Sequence, residues 1–427
     1  MMNSSFFEIY KGLIKTFFIK GISIIFGYFF IYLISFYFGP DGVGIYSVLN
    51  AVLFVLAIIS VLGLDSASVR LISQNNTLIN AKNIYFSILR IIIPFSIFIC
   101  ILFYLVQPNL VSFFNDINIT NGLLYILWGV IPLSIIYITS ESFRGRKQIL
   151  EYSIFKFALI PLFASLFLFS LNRNEYFNIY NPIISYILSV NVVCLISVFF
   201  WFKKTYVTEK VNYSFIPVKK ILSISLPMLI STSMFYIIQW TDTIILSYFE
   251  SVENIGVYNI ALKISMSTSI ILFSINSITA PKYSELYYSE KYKEFKLTVK
   301  HSSKLIFWLS LPLLLIIGIF SNFFLGIFGD EFLTAKYPLL ILLFGQFINI
   351  LCGSVGYILL MTGSEKVLRN IIIVSGILNI VLNIVLIPYY GILGASIASA
   401  FSLILWNIWA LLYIYNKYGF LTINIIK

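Results

Sequence analysis

Residues 13–38 have the sequence LIKTFFIKGISIIFGYFFIYLISFYF, and the short break GPDGV at 39–43 leads into a second apolar run at 44–64. Each run is long enough for an α-helix to cross the hydrocarbon core, which takes roughly 20 residues. The first run is too long for the apolar core of a signal peptide, and no small-x-small cleavage site follows it. We therefore expect it to be the first membrane span.

Runs of this kind fill nearly the whole chain of 427 residues, of which 60% are hydrophobic and 11% are charged. A soluble domain carries roughly 25% charged residues, so this composition excludes one. The runs are too long and uniform for the short alternating strands of a membrane β-barrel. We predict an all-α integral membrane protein with about twelve spans, at 13–38, 44–64, 84–106, 120–140, 153–171, 181–202, 221–249, 256–280, 303–326, 337–362, 370–388 and 392–415.

The basic residues predict the orientation, because Lys and Arg concentrate in cytoplasmic loops. With the N-terminus inside, 22 of the 28 Lys and Arg fall on the cytoplasmic side, two fall outside and four lie within spans. This asymmetry predicts an even number of spans with both termini cytoplasmic. It also accounts for the net charge of +11 without nucleic acid as a partner.

The cysteine and histidine residues suggest no metal site and no catalytic site. Cys100, Cys194 and Cys352 lie within apolar runs, where a small buried hydrophobe is the simplest interpretation. The single histidine, His301, lies in a lysine-rich break. We expect no metal, no cofactor and no histidine-based catalysis.

An internal repeat divides the chain. The stretch 42–46, GVGIY, is echoed 212 residues later by NIGVY at 254–258, each at the outer end of a predicted span. A second echo links 144–147 to 362–366. Echoes with the same orientation imply a parallel repeat. We predict two pseudo-symmetric six-helix bundles, at 1–205 and 206–427, with the transport path between them.

Charges within the second half point to function, because an intramembrane charge is costly and faces a cavity or a partner. Asp242 and Lys263 lie at similar distances from the hairpin near residue 252. They are either a structural ion pair or a cationic anchor that Asp242 balances or gates. Each charge lies on a polar stripe of its helix. Asp242 shares its stripe with Gln239, and Lys263 shares its stripe with Asn259 and Ser267. These stripes line a lumen or join helices.

The first half carries four further candidates, namely Lys20 in span 1, Asp65 and Arg70 at the end of span 2, and Arg90 in span 3. Lys20 and Arg90 are also close enough to the inner surface to snorkel. Asp65 and Arg70 either pair with each other or form the cytoplasmic mouth.

Four motifs in chain order resemble bacterial polysaccharide flippases. They are FGPDGVGIY at 38–46, GLD at 63–65 with Arg70, GVYNIALK at 256–263, and LNIVLNIVLIP at 378–388 followed by GILGA at 391–395. The chain is thereby similar to O-antigen and related flippases of the multidrug/oligosaccharidyl-lipid/polysaccharide (MOP) superfamily. It departs from their pattern at 36–38, where Phe-Tyr-Phe replaces a frequent basic residue.

The resemblance implies a V-shaped fold, alternating access and an undecaprenyl-diphosphate-linked oligosaccharide as substrate. It also implies the bacterial inner membrane, O-antigen or a related surface polysaccharide pathway, and other polysaccharide assembly proteins as partners. Lys20 and Lys263 match positions where the family places cationic lumen residues. With Arg70 and Arg90 they are the candidate substrate-binding residues, and Asp242 and Asp65 are the candidates for coupling or gating.

Two other functions remain open from the residues. A membrane polymerase or glycosyltransferase needs a sizeable outer loop with catalytic Arg, His or Asp, whereas the outer loops here are short. A cation-coupled drug exporter of the same superfamily suits Asp242 but not the basic lumen positions. We therefore expect a transporter and not an enzyme.

Overall fold

The structure is a computed structural model that describes residues 2–74, 77–110, 113–114, 116–173, 178–206 and 215–423. Within these ranges the side chains of 2–18, 20, 227 and 230–238 are not described. The predicted site residue Lys20 therefore has a described backbone, while its side chain lies outside the described residues.

Helices make up the regular structure of the described residues. In chain order they are α1 Met2–Val61, α2 Leu64–Gln74, α3 Leu78–Val106, α4 Ile117–Gly145, α5 Ile149–Ser153, α6 Leu159–Arg173, α7 Asn181–Lys204, α8 Val218–Phe249, α9 Val252–Ser267, α10 Ser269–Tyr288, α11 Tyr292–Ile319, α12 Ser321–Gly326, α13 Lys336–Cys352, α14 Val355–Met361 and α15 Glu365–Tyr418. Short 3₁₀ turns cover Gln107–Leu110 and Asp330–Ala335, and a π-helical turn covers Ile154–Ala158.

Glycine interrupts the two longest helices. The backbone of α1 leaves helical geometry at Gly39 (φ 61°), and that of α15 does so at Gly391 (φ 54°). Only glycine adopts this left-handed region without steric cost. Each helix therefore consists of two segments, and the breaks fall between the predicted spans 13–38 and 44–64 and between 370–388 and 392–415.

Polar caps set several other helix starts. The Asp116 carboxylate accepts hydrogen bonds from the backbone N–H groups of Asn118 (2.6 Å) and Ile119 (3.3 Å) at the start of α4. Ser251 accepts one from Asn254 N–H (3.3 Å) at the start of α9. These bonds satisfy N–H groups that have no partner within the helix, so the breaks between apolar runs also fix where helices begin.

Within the described part of the chain, eight helices are long and apolar enough to cross a membrane, or nine if the bent pair α9 and α10 forms one span. Two of these helices are the glycine-broken α1 and α15. The predicted all-α membrane fold is confirmed, and the count of twelve spans stays a prediction.

The chain forms two compact units, Met1–Tyr236 and Ile237–Lys427. In the first unit α4 packs against α1, α2, α3 and α7, and in the second α13 packs against α9, α11 and α15. The predicted division at 205/206 stays a prediction. The boundary between the compact units falls within α8, so the Asp242 end of α8 belongs to the second unit.

A buried ion pair ties α4 to the π-helical turn in the first unit. The carboxylate of Glu141, which is 4% exposed, pairs with the ammonium of Lys156 and lies 3.2 Å from Nη1 of Arg144. The Lys156 ammonium also lies 5.3 Å from the ring centroid of Tyr152 and 5.7 Å from that of Tyr137. A buried charge without its partner is costly, so this pair constrains how the two helices pack.

We predict that Lys156→Met destabilises the protein by about 3 kcal/mol, because it leaves the buried Glu141 with one partner fewer. The double variant Glu141→Gln/Lys156→Met should recover most of that loss, since position 141 then carries no buried charge that needs the cation. The measurement is reversible unfolding of the purified protein in detergent.

The more exposed pair of Lys204 with Glu151 supplies the control. Lys204→Met should cost about 1 kcal/mol or less, as is usual for an exposed pair. Equal losses in the Lys156 single variant and in the double variant would contradict the prediction.

Candidate functional site

The carboxylate of Asp242 is the centre of a buried polar cluster in the second unit. Asp242 lies on α8 and is 2% exposed. Its Oδ2 accepts a hydrogen bond from Tyr258 Oη on α9 (2.7 Å) and another from Ser399 Oγ on α15, while Oδ1 accepts one from Asn383 Nδ2 on α15 (2.6 Å). Hydrogen bonds to an ionised group are stronger than those between neutral groups, and these offset part of the cost of burying the carboxylate.

The break at Gly391 makes this arrangement possible. Asn383 precedes the break and Ser399 follows it, so both segments of α15 supply a donor to one carboxylate. We name Asp242, Tyr258, Asn383 and Ser399 the acidic cluster. It joins three helices of the second unit through one acid and three neutral donors.

The residues of the predicted polar stripe of α9 make different contacts. Asn259 is buried, accepts a hydrogen bond from Thr243 Oγ1 on α8 (3.3 Å) and donates one to the carbonyl of Ile255 (2.9 Å). The hydroxyl of Ser267, by contrast, donates to the carbonyl of Ile264 on its own helix (2.6 Å). Asn259 thus helps to hold α8 against α9 beside the acidic cluster.

Lys263 and Gln239 are more accessible than Asp242. Lys263 is half-buried on α9, four residues beyond Asn259, and Gln239 is exposed on α8. The hydrogen bonds to Asp242 described above come from neutral side chains. The predicted interplay of Asp242 with Lys263 therefore stays a prediction.

In the first unit, Asp65 lies among charges. It occupies the first turn of α2, and its Oδ1 is buried without a hydrogen-bond partner among the described residues. Burial raises the pKa of the Asp65 carboxyl; the nearby Lys156 ammonium opposes this rise and the Glu141 carboxylate adds to it. Asp65 thus belongs to the surroundings of the buried ion pair.

Two predicted basic residues of the first unit, Arg70 and Arg90, are exposed. Arg70 lies on the exposed side of α2. The guanidinium of Arg90, on α3, lies 5.3 Å from the ring centroid of Phe215. Their assignment to substrate binding stays a prediction, as does that of Lys20.

Sequence reasoning missed several of these residues. Tyr258 was noted only within the internal repeat and a family motif, and Asn383 only within a family motif. Ser399 carried no signal, because a serine in an apolar helix is common. Glu141 did carry a signal, since an acid just beyond predicted span 4 faces Lys156 near the start of predicted span 5. Within the described part of the chain, no group of three or more His, Cys, Asp or Glu side chains could hold a metal ion.

Two relatives identified by sequence are described as a membrane protein and as a probable flippase. The uncharacterized membrane protein MJ1068 of Methanocaldococcus jannaschii is 29% identical over 263 residues, which cover 58% of this chain and 51% of the relative. The probable low-salt glycan biosynthesis flippase Agl15 of Haloferax volcanii is 27% identical over 168 residues, which cover 39% of this chain and 36% of the relative. The match thus spans about half the length of the first relative and about a third of the second.

Solved structures share the fold. An inward-facing multidrug resistance MATE family transporter of the MOP superfamily aligns with a TM-score of 0.75 at 14% identity, covering 93% of this chain and 95% of the transporter. The lipid II flippase MurJ in an inward closed conformation aligns with a TM-score of 0.76 at 16% identity, covering 94% of this chain and 86% of MurJ. At these identities the likeness establishes the fold, which confirms the predicted MOP type.

Two family models match the sequence, one described as MatE over residues 227–385 and one described as polysaccharide biosynthesis protein over residues 9–287. The expectation of a transporter and not an enzyme agrees with the relative Agl15, a probable flippase, and with the family match. The predicted resemblance is confirmed. Because the second model covers more than half of the chain, the chain belongs to the polysaccharide biosynthesis protein family, within the MOP superfamily.

Proposed function

We propose that the protein flips a polyprenyl-diphosphate-linked oligosaccharide from the cytoplasmic to the outer leaflet by alternating access. The match of residues 9–287 to the polysaccharide biosynthesis family carries this proposal. The named relative Agl15, a probable glycan biosynthesis flippase, supports it. The matched range includes Asp65, Asp242 and Lys263, so the charges in and beside the spans lie within the family's shared region.

The chemistry of the substrate explains why such charges are needed. A diphosphate that leaves water loses its hydration, and a cation beside it offsets that cost. Lys263 is half-buried in an apolar helix. A charge there is energetically costly, so its presence points to a function. We assign the diphosphate to Lys263, with Lys20, Arg70 and Arg90 as further cationic contacts.

The finer identity of the substrate belongs to the same proposal. We infer an undecaprenyl carrier, the bacterial inner membrane and O-antigen or a related surface polysaccharide, from the motif resemblance alone. The curated relatives named above come from archaea, where they are described as glycan biosynthesis proteins or membrane proteins. The proposal therefore depends on the lipid-linked glycan and not on one pathway.

A drug exporter is the second candidate, because the MatE model matches residues 227–385 and MATE transporters share the fold. Export of a cationic drug needs an accessible acid. Asp242 is instead buried and hydrogen-bonded by three neutral donors, and the less buried residue Lys263 is basic. Drug susceptibility of cells with and without the gene, compared with their surface glycan, separates the two functions.

We predict that Lys263→Ala abolishes surface glycan export in cells that lack the chromosomal gene, because the diphosphate loses its cation. Lys263→Arg should retain much of the export, since the charge is kept. Surface glycan and accumulated lipid-linked oligosaccharide are measured at matched protein level in the membrane. The control is Lys293→Ala, at an exposed position at the start of α11. Full export by Lys263→Ala would refute the assignment.

We predict that Asp242→Asn removes the response of transport to an ion gradient, because its carboxylate is the charge that we assign to coupling. Flipping of the lipid-linked oligosaccharide is measured in proteoliposomes under an imposed proton gradient and, separately, a sodium gradient. The wild type should accelerate with one of them. Ser399→Ala keeps the charge and removes one donor, so it should retain the response. A wild type that ignores both gradients, or an Asp242→Asn variant that still responds, contradicts the prediction.

A further inference from the structure

A cleft lies in the second unit, on the side that the loop charges predict to face outward. It has a volume of about 330 Å³, which is at the lower end of the roughly 300–1,000 Å³ typical of small-ligand sites. Three chain breaks form its lining: the corner between α8 and α9, the start of α13 and the glycine break of α15. We propose that this outer cleft binds a neutral sugar unit of the translocated glycan, an inference that rests on the proposed function.

A fixed carboxylate and amide form the polar part of the outer cleft. Glu250 Oε2 accepts a hydrogen bond from Asn254 Nδ2 at 2.6 Å. Gly391 lies so close that a Cβ at this position would be 2.5 Å from Glu250 Oε1. The absence of a side chain at Gly391 therefore lets the carboxylate reach the break of α15. A carboxylate accepts hydrogen bonds from sugar hydroxyls, and an amide both donates and accepts them.

Two tyrosines flank this polar part. Tyr337 is 68% exposed and Tyr390 is 59% exposed, and both line the outer cleft. An aromatic ring offers an apolar face to the C–H groups of a sugar ring, while its hydroxyl remains available for hydrogen bonds. Tyrosines that only anchor a protein at the membrane interface need no carboxylate beside them. The combination of exposed rings with Glu250 and Asn254 favours a saccharide over lipid.

Charge selects which part of the substrate binds here. The outer cleft carries the Glu250 carboxylate. Glu253 lies at the corner between α8 and α9, and Asp330 and Glu331 lie in the 3₁₀ turn before α13, against one basic residue, Lys336. Like charges repel, so this acidic end disfavours the diphosphate and acidic sugars. The glycan and the diphosphate would then bind to different parts of the protein, the diphosphate at the cationic residues and a sugar unit at the outer cleft.

The test is equilibrium binding to the purified full-length protein in nanodiscs. The first probe is the free oligosaccharide released by mild acid from the lipid-linked intermediate of the cells that encode the protein, and the second is inorganic diphosphate. We expect Tyr390→Ala and Glu250→Gln each to weaken oligosaccharide binding by about five- to tenfold, the size of one good aromatic or hydrogen-bonded contact. Inorganic diphosphate should not compete for the site.

Tyr389→Ala is the matched control, because Tyr389 is 81% exposed beside Tyr390 and is not part of the cleft lining. It should leave the affinity unchanged, and the thermal midpoint of each variant shows that it is folded. Equal effects of Tyr389→Ala and Tyr390→Ala would overturn the proposal in favour of membrane anchoring. Competition by diphosphate, or no binding of the oligosaccharide to the wild type, would also overturn it.

Different results would contradict the sugar site in the outer cleft and the proposed function. If the cleft assignment is wrong and the protein is a flippase, the wild type restores glycan export while the Tyr390 and Glu250 variants bind the oligosaccharide as the wild type does. If the protein is not a glycan flippase, the wild type restores no export in cells that lack the gene.

Discussion

Charge is costly inside a membrane protein, and this constraint explains how the two compact units are built. Their membrane-spanning helices are mostly apolar, so each buried charge must find its partners within the protein. In the first unit Glu141 meets Lys156 and Arg144. In the second unit Asp242 meets the hydroxyl groups of Tyr258 and Ser399 and the amide of Asn383. These two acids therefore fix which helix faces can meet.

The ion pair at Glu141 and the neutral donors at Asp242 have different physical consequences. An ion pair cancels the buried charge, and it is stable as long as both partners remain. The three described donors to Asp242 are neutral, so they stabilise its carboxylate without themselves supplying a positive charge. Such a residue gains from the arrival of a cation or a proton, which an ion-paired Glu141 does not need. This difference is the physical reason for assigning coupling to Asp242 and a structural role to the Glu141–Lys156 pair.

Much of the fold was predictable because its cause is local. Long apolar runs specify membrane helices, and glycines at 39 and 391 lie where the predicted spans are separated. The acidic cluster was not predictable in the same way. Two donors to Asp242 are far from it in the sequence: Asn383 follows it by 141 positions and Ser399 by 157. Both are common residue types in apolar helices. Asp242 itself could be singled out from the sequence, because a carboxylate in an apolar run is costly and needs partners. Its assignment to coupling stays a prediction.

The distribution of the predicted site residues also suits the chemistry of a lipid-linked glycan. Such a molecule has three unlike parts: an apolar chain, a doubly charged linker and a polar, bulky glycan. A single uniform cavity serves none of them well, because a cationic surface that binds the linker gives no apolar face for a sugar. In the second unit the basic Lys263 lies on α9, whereas the carboxylate of Glu250 and the exposed ring of Tyr390 lie at the breaks that flank the helices. On the proposed function, the separation of cation from acid along this unit would let linker and glycan bind complementary surfaces at the same time. It would also disfavour the reversed orientation, in which the linker would meet the acidic end.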